Sequence, residues 1–180
     1  GLLSYDGAGE VRGELAESWT SDGPLSWTFK LRPGAKFHDG EAVNAEAVRI
    51  NLERMQDEKA QAYFRTRLTQ LIDKVETPDA MTVRLVLKEP SATLPQLLAS
   101  PHMPLISPKS TEANPVGAGP YRITDMERGT RIDFDAFDGY WRPGRPATRK
   151  LRIVVYQDES LRVAALEAGD VDISEYVPWQ

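Results

Sequence analysis

The chain has 180 residues, 41% of them hydrophobic and 27% charged, with a formal net charge of −5 and no cysteine. That is enough chain to bury a real core, with no basic cluster for nucleic acid or an anionic membrane surface and no thiol for a disulfide, thiolate metal site or cysteine nucleophile. No apolar run approaches the roughly 20 residues that span a bilayer; no basic-then-apolar leader is present either, so any export signal is expected to have been removed or to lie outside this sequence.

Residues 1–12 read as a strand followed by a turn at Asp6-Gly7-Ala8-Gly9. Trp27, Phe29 and Leu31 then alternate with Thr28, Lys30 and Arg32, the period of a half-buried strand. Pro33-Gly34 turns the chain, because Pro presets φ and Gly takes the positive φ that follows. His38-Asp39-Gly40 is a second turn. Asn44 is placed to cap a helix whose Ala45, Val48, Leu52 and Met55 form one apolar stripe. A polar stretch over 56–67 leads to a helical segment expected at 68–75. Val83, Leu85 and Leu87 share one face of a strand over 82–87. Pro90 and Pro95 bracket the start of a short helix ending near Ala99.

Prolines at 101, 104, 108, 115 and 120 make the run from Ser100 to Pro120 irregular. A loop of that length in a compact domain is usually functional or disordered. Gly117 and Gly119 flank a tight turn, where at least one is expected at positive φ. Beyond Met126, Ile132, Phe134 and Ala136 alternate with Arg131, Asp133 and Asp135, a strand whose acidic residues project into solvent. Leu151 to Tyr156 is the most apolar strand and the candidate for a central sheet position. Asp158 caps a helix over 159–168 that ends at Gly169. A strand at Val171-Asp172-Ile173 would complete a βαβ unit.

Catalytic chemistry is poorly represented. The two histidines are His38 and His102, and His38 sits in a turn where a structural hydrogen bond is the expected role. There is no Gly-x-Ser-x-Gly elbow. Asp133, Asp135 and Asp138 lack the arrangement of a calcium or carboxylate catalytic site. Gly117-Ala118-Gly119-Pro120 lacks the Lys-Ser/Thr end of a phosphate loop. No enzymatic activity, cofactor or metal is therefore expected. Of Trp19, Trp27, Trp141 and Trp179, the rings at 27 and 141 are expected to be structural.

Five segments carry a resemblance to a known family: Gly13-Glu14-Leu15-Ala16-Glu17-Ser18-Trp19; Phe29 to Gly40 (FKLRPGAKFHDG); Val116-Gly117-Ala118-Gly119-Pro120-Tyr121; Gly139-Tyr140-Trp141; and Ala165 to Asp172 (ALEAGDVD). In this order they resemble the motifs of the solute-binding proteins that serve ABC importers of peptides and nickel. Ala118 departs from the family's usual Thr, and Ala47 stands where Asp is frequent.

The resemblance implies an α+β fold, a periplasmic-binding-protein-like lobe (a mixed sheet with a βαβ unit) that carries an inserted antiparallel α+β domain. It assigns 1–12 and 127–180 to the sheet of the first lobe and 13–126 to the insertion, with the second lobe absent, so that the two-lobe fold is incomplete. The implied function is capture of an extracytoplasmic solute, an oligopeptide before others, and its delivery to the transmembrane subunits of an ABC permease. The implied location is periplasmic or extracellular, with or without a lipid anchor. Gly1, Leu2 and Leu3 are its ligand-contact candidates, joined by His102 and Met103 in the proline-rich loop and by Trp179 where the family chain approaches its hinge. A ligand-sensing module of a transcriptional regulator is the alternative. The bare sheet is expected to favour dimerisation.

Overall fold

A computed structural model describes residues 1–111 and 114–175. The architecture is α+β, as expected, and falls into two compact units: 1–120 with 137–145, and 121–136 with the chain from Pro146 onward. The sequence-based division at 12/13 and 126/127 sets 1–12 with 127–180. Within this chain 1–12 belongs with the first unit, because Leu2 and Leu3 are buried in its core.

The first unit opens with a two-stranded antiparallel ribbon, β1 (Leu3–Tyr5) and β2 (Val11–Gly13). Asp6 holds its turn, accepting from the N–H groups of Ala8 and Glu10, each at 2.9 Å. A four-stranded antiparallel sheet follows, in the order β3 (Ala16–Ser21), β4 (Ser26–Leu31), β6 (Thr82–Leu87), β5 (Ile72–Asp79). The period-two pattern of β4 buries Phe29 and Leu31. Phe29 pairs with Trp19 on one side and Val83 on the other.

Helix α1 (Ala45–Gln56) lies on this sheet with Ala45, Val48, Leu52 and Met55 inward. The Asn44 side chain accepts from the Ala47 N–H at 2.8 Å. Asn44→Ala is expected to cost about 1 kcal/mol; a urea melt with an unchanged midpoint would show that the cap contributes nothing.

Two expectations need correction here. The helix expected at 68–75 is α2 (Arg65–Leu71), and at Ile72 the chain becomes β5. Pairing of Ile72 with Leu87 and of Val75 with Leu85 overrides a local pattern that suited either state, and β-branched Ile72 and Val75 favour the strand. Neither Gly117 nor Gly119 has a positive φ; that turn is shaped by hydrogen bonds to the His38 turn, described below. Helix α3 (Leu94–Leu98) packs against β1.

The second unit is a three-stranded antiparallel sheet, β7 (Tyr121–Glu127), β8 (Arg131–Ala136) and β9 (Lys150–Val154), followed by α4 (Glu159–Ala168). The Asp158 side chain accepts from the Ser160 N–H at 2.8 Å, and Gly169 closes the helix at φ 77°. Three expectations fail. Asp133 does not simply face solvent: Arg152 donates to it at 2.5 Å and Arg131 also binds it. Among the described residues strand β9 pairs with β8 alone, an edge and not a centre, and Leu151, Ile153 and Val155 are 41–48% exposed. No strand forms at 171–173, so the βαβ unit is not completed among the described residues. An edge of this kind templates pairing with another chain. The isolated chain is expected to self-associate as concentration rises; a sedimentation coefficient independent of concentration would remove that expectation.

Candidate functional site

The chain entering α2 carries two adjacent rings, Tyr63 and Phe64, in an edge-on pair with centroids 4.8 Å apart. A third ring comes from the proline-rich loop. His102 stacks on Tyr63 with centroids 4.4 Å apart and planes 17° from parallel, and stands edge-on to Phe64 at 6.2 Å. Tyr63 is 74% exposed, so its outer face is open to a solute while its inner face rests on the imidazole. Three rings gathered on one surface are a different observation from one stray exposed tyrosine.

Phe64 also lines a neighbouring cleft of about 380 Å³, together with Tyr5, Arg67, Leu71, Thr93 and Gln96. The Tyr5 hydroxyl donates to the Gln96 carbonyl at 3.0 Å, and Arg67 pairs with Glu89 at 3.1 Å. The lining mixes apolar and polar groups, Phe64 and Leu71 beside Arg67, Thr93 and Gln96, and convergent polar groups of this kind can orient a small molecule.

The candidate residues fall in different environments. Gly1 lies against this region: a Cβ built on it would sit 3.2 Å from the Met103 carbonyl and 3.7 Å from that of Leu98. Leu2 and Leu3 are each 2% exposed and belong to the core. The Leu2 carbonyl accepts from the N–H groups of Glu14 and Ala16 at 3.0 Å, which anchors the segment. His102 is exposed, but Met103 is buried at 3%. These neighbours therefore meet different surroundings. Among the described residues, no three His, Asp or Glu side chains converge as a metal-holding group. Trp179 lies outside the described residues.

Tyr63 and Phe64 were hidden in the stretch read as polar. The available signal was a pair of adjacent aromatics within an otherwise largely polar stretch, but which loop would cover them was not legible.

The motif segments that are far apart in sequence are partners in the first unit. The His38 N–H donates to the Gly117 carbonyl at 2.8 Å, and its Nε2 bonds the Gly119 carbonyl at 3.0 Å. The His38 ring stands edge-on to Phe137 at 4.9 Å. The Ser107 hydroxyl donates to Asp39 at 2.5 Å. Burial alone would raise the Asp39 pKa; the bonds from Ser107 and the Glu41 N–H, with the Lys109 charge, hold it below its ordinary value. Arg32 and Arg142 both lie over the Trp141 ring, their guanidinium carbons 4.1 and 4.7 Å from its centroid. Arg142 reaches back to Glu14 at 2.8 Å. Beside them, burial pushes the Tyr140 hydroxyl up, aided by Glu14 and opposed by the two arginines.

Comparison with known proteins places these features in context. A family model described as bacterial extracellular solute-binding proteins, family 5 Middle, matches residues 10–180. The glutathione-binding protein GsiB of Pectobacterium atrosepticum is 35% identical over 191 residues, covering 100% of this chain and 36% of that protein. The structure of AgaA from A.tumefacien R10, in complex with agropinic acid, matches with a TM-score of 0.92 at 41% identity, over 99% of this chain and 38% of that one. NikA from Brucella suis, in complex with Fe(III)-EDTA, gives 0.81 at 31% identity, over 94% and 36% respectively. The chain thus spans little more than a third of the length of these relatives. The regulator alternative finds no support among them.

Proposed function

Because the chain belongs to family 5 of the bacterial extracellular solute-binding proteins, we propose that its Tyr63–Phe64–His102 face helps to capture a small extracytoplasmic solute for delivery to an ABC permease. The observation that carries this reading is the exposed Tyr63 ring stacked on His102 beside the cleft that Phe64 lines. A planar amide or carboxylate can lie on such a ring, with Thr93 and Gln96 near enough to the cleft to fix its orientation.

The proposed solute is a short peptide or a peptide-like molecule. A relative named as glutathione-binding supports this, since glutathione is itself a tripeptide. In this proposal 1–12 and 127–180 belong to the first lobe, 13–126 to its insertion, and a second lobe completes the site. Permease subunits are the protein partners, in the periplasm or outside the cell. Closure of two lobes supplies the physics: a ligand favours the closed state only by the contacts that it makes there and not in the open one.

An NMR titration of the 180-residue chain with glutathione, and separately with agropinic acid, tests the site. Resonances of Tyr63, Phe64 and His102 are expected to shift with at least one of them. Tyr63→Ala should weaken that binding about tenfold, ~1.4 kcal/mol. Shifts confined to the second unit, or absent with both solutes, would overturn the reading.

A further inference from the structure

We propose that Asn51 is a positioning residue for the aromatic face: through the backbone of Ile106 it holds the 100–107 limb so that His102 stays on Tyr63. The functional part of this inference rests on the reading above, that a solute meets that face.

Asn51 lies on α1 and is 1% exposed. An amide so deeply buried is costly unless its polar atoms are bonded. Its Nδ2 donates to the Ile106 carbonyl and to the Ala47 carbonyl, both at 2.8 Å. Its Oδ1 accepts from the Ile106 N–H at 3.0 Å and from Arg54 at 3.1 Å. Both hydrogens and both lone pairs are therefore in use. One side chain grips the N–H and C=O of a single residue 55 positions away, much as a neighbouring strand would. It reads where the backbone is, whatever side chain that residue carries.

The grip is transmitted. Only Met103, Pro104 and Leu105 separate Ile106 from His102. Met103 and Leu105 are buried, and Pro101 and Pro104 each fix a φ angle. On the far side of Ile106, the Ser107 N–H donates to the Val116 carbonyl at 2.8 Å and its hydroxyl to Asp39 at 2.5 Å. The limb has little slack, so a shift at Ile106 must appear at His102. If Asn51 only satisfied the core, leucine there would change stability and leave the His102 ring where it is.

The ring-proton resonances of His102 separate the two roles. A stacked tyrosine shifts them by its ring current, and the chain with Tyr63→Ala supplies the unstacked value. In the solute-free 180-residue chain, Asn51→Leu is expected to move the His102 resonances most of the way to that value, while the Val83 and Leu85 methyl resonances stay in place. Asn51→Asp keeps the acceptor for the Ile106 N–H and should move them part of the way; it provides the reading if the leucine variant does not fold. Unchanged His102 resonances in a folded variant would overturn the proposal. Glutathione is then titrated into the same samples, with about a tenfold loss of affinity expected in Asn51→Leu. A His102 ring released with affinity unaltered would sink the solute reading of this face and leave the positioning role of Asn51 standing.

Discussion

Phe29→Ala should remove about 3–5 kcal/mol from the stability of the first unit, the range for emptying a phenylalanine site in a packed core. Phe29 is fully buried on a strand hydrogen-bonded on both sides, with Trp19 and Val83 as its cross-strand partners. The neighbouring strands hold each other in register, so they cannot close over the vacated volume. The loss combines the transfer free energy of the ring with the cavity left behind. Urea unfolding followed by the fluorescence of Trp19 and Trp27 would measure it. The midpoint should fall sharply with the slope unchanged, since the same surface is exposed on unfolding. Phe29→Leu, which keeps much of the volume, should cost far less. A loss below ~1 kcal/mol for the alanine variant would mean that the sheet relaxes into the space.

A chain extended to the length of its relatives should bind its solute at least a hundredfold more tightly than these 180 residues alone, a difference of about 3 kcal/mol. The present chain covers 36–38% of the relatives it matches. In the proposed mechanism the solute is gripped from both sides, and contacts from a missing side contribute nothing. A half-site also leaves the solute partly hydrated, which weakens every polar contact that it does make. Calorimetry with glutathione on both chains decides the matter. Equal affinities would place the whole binding site within this chain and end the two-lobe account.

Local chemistry made much of this fold legible. The β4 alternation, the Asn44 and Asp158 caps, and the turns at Gly34, Gly40 and Gly169, all at positive φ, each depend on residues within a few positions of one another. The failures share a cause as well. Leu68 to Val75 contains apolar residues that either period can place, and pairing with β6 decided for a strand from Ile72. The run at 151–156 is apolar enough for a central strand, yet among the described residues it meets β8 on one side only. Hydrophobicity reports that a surface will be covered, without saying by which segment.

The sequence by itself determined the elements whose signals are local, the β4 strand and the helices capped by Asn44 and Asp158, and, through five motif segments in order, the family. It determined these because caps, turns and periodicities are short-range effects. Only the tertiary structure decided what the motifs do for one another. His38 reaches a carbonyl 81 residues away, Asp39 a hydroxyl 68 away and Asn51 a peptide unit 55 away. The same approach of distant segments sets His102 on Tyr63, whose local sequence reads as polar loop. Such contacts depend on where α1, the 38–40 turn and the proline-rich loop meet once the core is packed. A hydrogen bond is specific to geometry within a few tenths of an ångström, and no pattern along the chain encodes that distance.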